Sequence, residues 1–149
     1  MQLDWKFTSF DELSVAELYA IMQLRNEVFV VEQNCVYQDA DNKDFKSFHL
    51  TGWKGTKLVA YCRILPPGLS YPEASIGRVV SSPACRNTGY GLKLMKLAIA
   101  KTLEQFNCNK ITISAQLYLK RFYNSLGFME SGEIYLEDNI PHIQMEFSP

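Results

Sequence analysis

The amino-acid sequence predicts a single α/β domain, residues 1–149, in which a mixed, largely antiparallel sheet is flanked by helices. Three observations support this fold class. The length of 149 residues is that of one domain of ordinary size. Apolar residues alternate in some segments and recur at helical spacing in others. Short glycine-containing turns and longer strand–helix–strand connections both occur, which indicates antiparallel and parallel neighbours in the sheet.

The N-terminal part is predicted to form a strand, a long helix and a loop. Apolar and polar residues alternate over residues 3–7, which is the period of a half-buried strand. Ser14 with Glu17 three residues later is a capping box, so a helix should begin there and run to about Phe29. Residues 32–46 are polar and acidic without a clear period, and we expect a loop that contains at most a short helical turn.

Three strands should follow this loop. Residues 48–53 and 58–65 are strand-like segments joined by Lys54-Gly55-Thr56, which predicts a hairpin. Residues 74–80 form a further strand, in which Gly77 is typical of a bulge or of a close approach by another backbone.

The C-terminal half alternates helices and strands. Leu92, Met95 and Ile99 mark one face of a long helix that begins near Gly91. An alternating strand, a short helix stopped by Gly127 and two closing strands should follow. The predicted ranges of these four elements are 111–115, 118–126, 128–135 and 142–147, and the last two are separated by a polar turn at residues 137–139.

The composition excludes several classes of protein. With 47% hydrophobic and 21% charged residues, the chain is too apolar to be intrinsically disordered. Its 15 basic and 16 acidic residues leave a net charge of −1, which gives no long-range attraction for nucleic acid or for an anionic membrane. No apolar run approaches the ~18 residues of a membrane span, and the first ten residues lack a signal peptide pattern. We therefore expect a cytoplasmic protein.

No metal site is predicted. The four cysteines are widely spaced and have no clustered histidines, which argues against a zinc site and against a redox dithiol; they are Cys35, Cys62, Cys85 and Cys108. Asp39, Asp41 and Asp44 have some likeness to a calcium-binding loop. However, Lys43 and Asp44 occupy the positions where that loop needs an oxygen ligand and a glycine.

The most informative segment lies between the strand that ends near Ser81 and the long helix, and it reads Arg86-Asn87-Thr88-Gly89-Tyr90-Gly91. Glycines allow the backbone to turn and to approach a ligand, and the first amides of a helix are unpaired donors at the positive end of its dipole. Such a loop binds a pyrophosphate, and the guanidinium group of Arg86 at its entrance would donate hydrogen bonds to the phosphate oxygens. The alternative is a tight strand–helix connection that binds nothing.

Two other phosphate-binding patterns do not fit this segment. The dinucleotide fingerprint G-x-G-x-x-G needs a third glycine, and only two are present. The Walker pattern needs Gly-Lys followed by Ser or Thr after the loop, and this sequence lacks it.

Two segments in this order resemble one enzyme superfamily, the GCN5-related N-acetyltransferases (GNAT). Arg86, Gly89 and Gly91 match its acyl-CoA loop R/Q-x-x-G-x-G/A, and Pro83 stands where a proline commonly precedes that loop. Residues 122–128, Phe-Tyr-Asn-Ser-Leu-Gly-Phe, resemble the family segment F/L-Y-x-x-x-G-F. Further segments along nearly the whole chain are similar to the small bacterial ElaA-like branch of this superfamily.

The resemblance implies an acetyl-CoA cosubstrate in a cleft between the strand at 74–81 and the strand at 110–115. The pantetheine would pair with the backbone of the first strand like an added strand, and the pyrophosphate would lie on the amides of the glycine loop. The implied donor-binding residues are Val79, Val80, Ser81, Arg86, Asn87, Thr88, Gly89, Tyr90, Gly91 and Gln116.

Three positions depart from the family pattern. Ser81 stands where the family strand often has valine, but the contact there is made by backbone. Gln116 replaces a frequent asparagine, and Leu119 replaces a small alanine. The contacts on the pantetheine side should therefore differ from the family pattern.

The chemistry implied by the resemblance is attack of an amine on the thioester, after which the coenzyme leaves as a thiolate that needs a proton. Tyr123 is the implied proton donor, because a phenol with a reference pKa of about 10 is protonated at neutral pH. Its position alone favours an ordinary amphipathic tyrosine at a helix edge, and the family resemblance reverses that preference. No single general base stands out, and the candidates are Glu32, Asp39, His49, His142 or a water chain, although His49 also fits a partly buried strand histidine.

The acceptor end is the least readable part of the sequence. The acidic loop at residues 32–46, together with Glu137 and Asp138, would attract a cationic amine. Arg63 and Arg78, near the middle of neighbouring strands, would instead hold an acidic acceptor or pair with those carboxylates.

The expected function is N-acetyl transfer from acetyl-CoA to a primary amine of a small molecule or peptide. One alternative is an acyl-CoA-binding module or sensor without turnover. A second is a nucleotide-binding α/β protein that uses the same phosphate loop. Neither nucleic acid nor a membrane is an expected partner, and a homodimer is one possible assembly.

Overall fold

The computed structural model describes residues 2–149 and has the predicted order of elements. Seven strands and three α-helices are present in this part of the chain. Their bounds are β1 Asp4–Ser9, α1 Val15–Arg25, β2 Phe48–Lys54, β3 Lys57–Leu65, β4 Ser75–Ser81, α2 Tyr90–Phe106, β5 Ile111–Gln116, α3 Lys120–Ser125, β6 Phe128–Glu137 and β7 Ile140–Phe147.

The strands form two antiparallel sheets rather than one continuous mixed sheet. The first has the order β1-β2-β3-β4 and the second the order β5-β7-β6. A parallel bridge between Ala74 and Ile111 joins them, and the N–H of Thr112 donates to the carbonyl of Ala74 at 3.0 Å. Beyond this bridge β4 and β5 are not paired with each other. The two strands therefore border a cleft, as the family resemblance implies.

The first helix begins as predicted but ends differently. Ser14 caps it, because Oγ of Ser14 accepts from the N–H of Glu17 at 3.0 Å and Oε1 of Glu17 accepts from the N–H of Ser14 at 2.8 Å. α1 ends at Arg25, and the chain continues as a π-helical segment over Asn26–Glu32. Wider turns of this kind are rare and occur often at functional sites. This segment places Phe29, which is buried, on the wall of the cleft.

The first sheet is packed between two helices. Ile21 and Leu24 of α1 belong to one apolar cluster with Tyr61 of β3 and Val80 of β4. α2 packs in the other cluster, and its buried residues are Leu94, Met95, Ala98, Ile99 and Thr102. The predicted apolar face of this helix is wrong at Leu92, which is 40% exposed, because Leu94 and Ala98 occupy the side that contacts the core.

The predicted turns are confirmed. Asp138 and Asn139 join β6 to β7, and both have positive φ, 50° and 66°, as a tight two-residue hairpin requires. Gly127 follows Leu126, the C-cap residue of the short helix, and its φ of 102° stops the helix. The predicted bulge in β4 is also present, because the pairing of β3 with β4 shifts register between Tyr61 and Arg63.

Candidate active site

A cleft of about 1010 Å³ runs between β4 and β5. Six of the ten predicted donor-binding residues line it, namely Val79, Val80, Ser81, Arg86, Gly91 and Gln116. The other four, Asn87, Thr88, Gly89 and Tyr90, lie in the adjoining loop and at the start of α2. Tyr123 also lines the cleft. The fold therefore brings the predicted donor loop, the bulged strand and the predicted proton donor to one place.

The glycine loop leaves space beside the first turn of α2. Asn87 and Gly89 have positive φ, 63° and 83°, so the backbone turns sharply before the helix. Gly91 lies within the helix without such a φ, and a Cβ built there would meet nothing within 4 Å. Packing within the described chain therefore does not require a glycine at 91. The open space lies beside the N-terminus of α2, at the positive end of the helix dipole, so it suits a phosphate group.

Arg86 is paired with an acidic residue that the sequence did not connect to it. Its Nη1 donates to Oε2 of Glu32 at 2.8 Å, and its Nη2 donates to Oε1 at 2.5 Å. Both side chains are about two-fifths exposed, so the pair is accessible. The hydrogen bonds from Arg86 lower the pKa of Glu32, which makes this carboxylate a poor proton acceptor. A phosphate group that reaches Arg86 would have to compete with Glu32.

The bulge in β4 puts a non-glycine residue in the left-handed region. Arg78 has φ 50°, a conformation that costs an L-residue roughly 1–2 kcal/mol. Its side chain is tied to the loop above the strand, with Nε 2.8 Å from Oδ1 of Asp39 and Nη2 donating to the carbonyl of Asp39 at 3.0 Å. The guanidinium also lies over the ring of Tyr37, 5.9 Å from its centroid. These contacts hold the strained residue in place.

Arg25 is the centre of a buried ion-pair network. It is fully buried, its Nε donates to Oδ2 of Asp39 and its Nη1 donates to Oδ1 of Asp44, both at 2.7 Å. Burial alone would lower its pKa, but Tyr61, Asp44 and Asp39 together raise it above the ordinary value. Nothing in the sequence marked this arginine, because its partners lie 14 and 19 positions further along the chain.

Arg63 completes this network. Its Nη1 and Nη2 donate to the two carboxylate oxygens of Asp41 at 2.7 and 3.0 Å. Although burial opposes the shift, the hydrogen bonds from Arg63 lower the pKa of Asp41 to about 2. Of the two roles considered for Arg63 and Arg78, pairing with loop carboxylates is the one observed. The acidic loop was expected to attract a cationic acceptor together with Glu137 and Asp138. Within that loop Asp39, Asp41 and Asp44 are paired with arginines, so these three carboxylates do not supply the attraction.

The strained bulge predicts an unusual order of stability at position 78. Arg78→Gly should be more stable than Arg78→Ala by about 1 kcal/mol, because glycine adopts positive φ without the steric cost that alanine retains. Ser81 is the matched control position, because it lies in the same strand as Arg78, pairs with Ala60 of β3 and has no positive φ. At position 81 the alanine variant should be more stable than the glycine variant. Urea unfolding of the four variants gives the comparison. An Arg78→Gly variant less stable than Arg78→Ala would contradict the account of the bulge.

Tyr123 lies on α3 and forms part of the cleft wall. It is 5% exposed and makes edge-to-face contacts with Phe122 and Phe128, whose ring centroids are 5.3 and 5.8 Å away. Burial raises its pKa well above the ordinary value. The hydroxyl therefore stays protonated throughout the neutral range, as a proton donor requires.

The structure separates the four candidate bases. His49 is fully buried between the hydroxyl of Tyr61, 2.7 Å from Nδ1, and the carbonyl of Asp44, 3.0 Å from Nε2. Burial lowers its pKa, as expected for a neutral strand histidine. Asp39 belongs to the Arg25 network. Glu32 and His142 are the two candidates that line the cleft.

The segment that follows the π-helix crosses to the second sheet. Nε2 of Gln33 donates to Oε1 of Gln116 at 3.4 Å, and Sγ of Cys35 lies 3.4 Å from the carbonyl of Asp138. Gln116, one of the three departures from the family pattern, therefore holds this segment as well as lining the cleft. Leu119, another departure, also lines the cleft.

The remaining chemistry predicted from the sequence concerns metals and thiols. Within residues 2–149, no group of three or more Asp, Glu, His or Cys side chains is placed to hold a metal ion. All four cysteines are free thiols, and burial raises the pKa of Cys62.

Within residues 2–149, no helix has both the length and the apolar character needed to cross a membrane.

Known proteins that are similar to this chain along nearly its whole length belong to the family that the sequence motifs indicated. The family model described as an acetyltransferase (GNAT) domain matches residues 16–149. Protein ElaA of Escherichia coli strain K12 is 43% identical over 145 residues, which cover 96% of this chain and 95% of that protein.

Two solved structures are also close to this fold. An acyl-CoA N-acyltransferase from Pseudomonas aeruginosa superposes with a TM-score of 0.94 at 42% identity, covering 98% of this chain and 99% of that one. The crystal structure of Escherichia coli ElaA superposes with a TM-score of 0.92 at 41% identity, with the same coverage. The glycine loop, the bulged strand and the cleft between the two sheets are thus those of a GNAT acetyltransferase domain, and the chain belongs to the ElaA-like branch of that family.

Proposed function

We propose that this protein transfers the acetyl group of acetyl-CoA to a primary amine of a small molecule or peptide. Membership of the GNAT family supports acyltransferase activity with a CoA-linked donor. The observation that carries the finer proposal is the cleft itself, in which an open helix start at Gly91 and a protonated phenol at Tyr123 line the same space. The similar structure from Pseudomonas aeruginosa bears the name acyl-CoA N-acyltransferase, which agrees with this proposal.

The residues around the cleft fit a pantetheine–pyrophosphate donor. β4 pairs with β3 along one edge, and beyond Ala74 its other edge is free of β5, so backbone groups from Val79 to Ser81 are available to an extended ligand. The pyrophosphate would lie on the amides from Asn87 to Gly91, where glycine leaves the necessary space. Arg86 would exchange Glu32 for a phosphate oxygen. A chain of net charge −1 can thus hold a strongly anionic donor locally.

The reaction that this arrangement supports is direct transfer. The amine nitrogen forms a bond to the thioester carbon, the carbon–sulfur bond breaks, and the coenzyme leaves with the electron pair on sulfur. Tyr123 would supply a proton to that sulfur, because burial keeps its hydroxyl protonated at neutral pH. A cytoplasmic location, where the four free thiols would stay reduced, is part of the proposal.

Removing the hydroxyl of Tyr123 tests the role of this residue. Tyr123→Phe is expected to lower kcat about 100-fold while the dissociation constant of acetyl-CoA changes less than about twofold. Tyr118→Phe is the matched control, since Tyr118 also lines the cleft but is 74% exposed. Thiol release measures turnover and calorimetric titration measures binding. Full activity of Tyr123→Phe would rule out its role as the proton donor.

Binding specificity separates the proposal from its two alternatives. Acetyl-CoA should raise the thermal unfolding temperature, whereas ATP and NAD at the same concentration should not. Stabilisation by ATP or NAD without stabilisation by acetyl-CoA would favour a nucleotide-binding protein. Stabilisation by acetyl-CoA without amine-dependent thiol release would favour an acyl-CoA sensor.

A further inference from the structure

A histidine–glutamate pair lies on the wall of the cleft, on the hairpin formed by β6 and β7. His142 of β7 is 6% exposed, Glu137 is the last residue of β6, and both side chains line the cavity. Nε2 of His142 is 3.4 Å from Oε2 of Glu137. The tight turn at Asp138 and Asn139 brings the two residues together.

The hydrogen bonds of His142 fix which of its nitrogens can accept a proton. Nδ1 lies 2.7 Å from the carbonyl oxygen of Ile140, and a carbonyl only accepts, so Nδ1 carries the hydrogen. Nε2 is therefore the nitrogen at which the ring can gain a proton, and a hydrogen there would lie beside the carboxylate of Glu137, which accepts. The ring also stacks on Tyr135, with 6.1 Å between centroids and 26° between planes, which fixes its orientation.

Glu137 is the charged group that faces this imidazole. From β6 the ring is faced by Tyr135 and Glu137, and β5 contributes Ser114 and Gln116, which are uncharged. Oγ of Ser114 is hydrogen-bonded to the hydroxyl of Tyr135 and lies 3.5 Å from Oε1 of Glu137. Nearby, burial and Tyr135 raise the pKa of Tyr71 to about 12, so this phenol is neutral as well. A carboxylate in this position stabilises a protonated imidazole.

The other candidate bases are already occupied. Glu32 is held by two hydrogen bonds from Arg86, and Asp39 is paired with the buried Arg25. His49 donates or accepts at both ring nitrogens inside the core. His142 lines the cleft, unlike His49 and Asp39, and the partner of its Nε2 is a carboxylate and not an arginine, unlike that of Glu32.

We propose that His142 is the general base of the acetyl transfer, that its Nε2 accepts a proton from the acceptor ammonium group, and that Glu137 is a positioning residue that stabilises the imidazolium. This inference rests on the proposed function. The acceptor nitrogen loses two protons in all. One passes to His142 and then to solvent before the nitrogen forms its bond to the acetyl carbon. The carbon–sulfur bond then breaks and Tyr123 gives its proton to the leaving sulfur, while the second proton leaves the nitrogen for solvent and an equal proton from solvent restores the hydroxyl of Tyr123.

Two acceptor probes of the same shape distinguish a base from a merely structural histidine. 2-Phenylethylamine is charged at pH 7 and must lose a proton before it attacks, whereas O-benzylhydroxylamine is already neutral. His142→Gln is expected to lower kcat/KM about 100-fold for the first probe and less than about threefold for the second. Acetyl-CoA binding, measured by calorimetry, should be unchanged. His142→Asn replaces this variant if the glutamine variant does not fold.

The same two probes test Glu137. Glu137→Gln should lower kcat/KM for 2-phenylethylamine and leave kcat/KM for O-benzylhydroxylamine within about threefold, because only the charged probe must give a proton to the ring beside this carboxylate.

The outcomes separate this inference from the proposed function. Equal losses on both probes would overturn the role of His142 while leaving acetyl transfer intact. Binding of acetyl-CoA without turnover of either probe by the wild-type chain would instead contradict the proposed function, and His142 as a base with it.

Discussion

Gly91→Leu is expected to fold normally and to lose acetyl-CoA binding by at least about 100-fold. The leucine side chain would fill the open space beside the first turn of α2, where the proposed pyrophosphate lies. A Cβ at this position meets no atom within 4 Å, and the backbone has no positive φ. Leucine is moreover the better helix former, by roughly 0.5–1 kcal/mol. Loss of binding and unchanged or higher stability are therefore expected together.

Calorimetric titration with acetyl-CoA and thermal unfolding give the two readouts. Ala100→Leu is the matched control, because Ala100 lies exposed on the same helix and does not line the cleft. It should bind acetyl-CoA like the wild type. Wild-type affinity in Gly91→Leu would show that the space beside Gly91 does not receive the donor.

Arg25→Met is expected to lower the free energy of unfolding by about 3–5 kcal/mol. Methionine replaces the aliphatic part of the arginine side chain but lacks the guanidinium group, which donates to both Asp39 and Asp44. Two largely buried carboxylates then lose a partner, although Arg78 and Arg63 still contact them. Because the same carboxylates hold the loop above the bulge, the loss should also reduce turnover.

Urea unfolding measures this loss. Lys6→Ala is the control, since Lys6 pairs with Glu17 at the surface and its side chain is 55% exposed, so its removal should cost less than about 1 kcal/mol. If Arg25→Met lay within about 1 kcal/mol of the wild type, the network would be of little consequence for stability.

Local signals in the sequence predicted the parts of the fold that depend on neighbouring residues. The capping box at Ser14, the stop at Gly127 and the turn at residues 137–139 are each decided within a few positions. The loop from Arg86 to Gly91 was found for the same reason, since its function depends on glycines in a short segment.

Features that depend on distant contacts were not predicted. Arg25 reads as an ordinary helix residue until the fold brings Asp39 and Asp44 to it. The π-helical segment after Arg25 has no recognised sequence signal, and the helix was therefore predicted to run to Phe29. Leu92 was assigned to the buried face because helical spacing shows which residues share one side of a helix. It does not show how much of that side a neighbouring sheet covers.

The candidate site shows the same division. Gly77 indicated the bulge, but the residue in the strained conformation is Arg78, which the loop above it holds in place. The sequence did not single out His142 among the candidate bases, and only the hairpin geometry sets it beside Glu137 on the cleft wall. The donor loop could be found from the sequence because its residues are adjacent in the chain. The acceptor side could not, because residues from several distant segments form it.

Acetyl transfer by this protein is tested by quantifying both products of one reaction. The protein is incubated with acetyl-CoA and a panel of primary amines that includes 2-phenylethylamine, spermidine and a lysine-containing peptide, and free coenzyme A and acetylated amine are measured in the same sample. Equal amounts of the two products are expected, formed only when protein and amine are both present. Coenzyme A without acetylated amine, or neither product with any amine while acetyl-CoA binds, would contradict acetyl transfer by this protein.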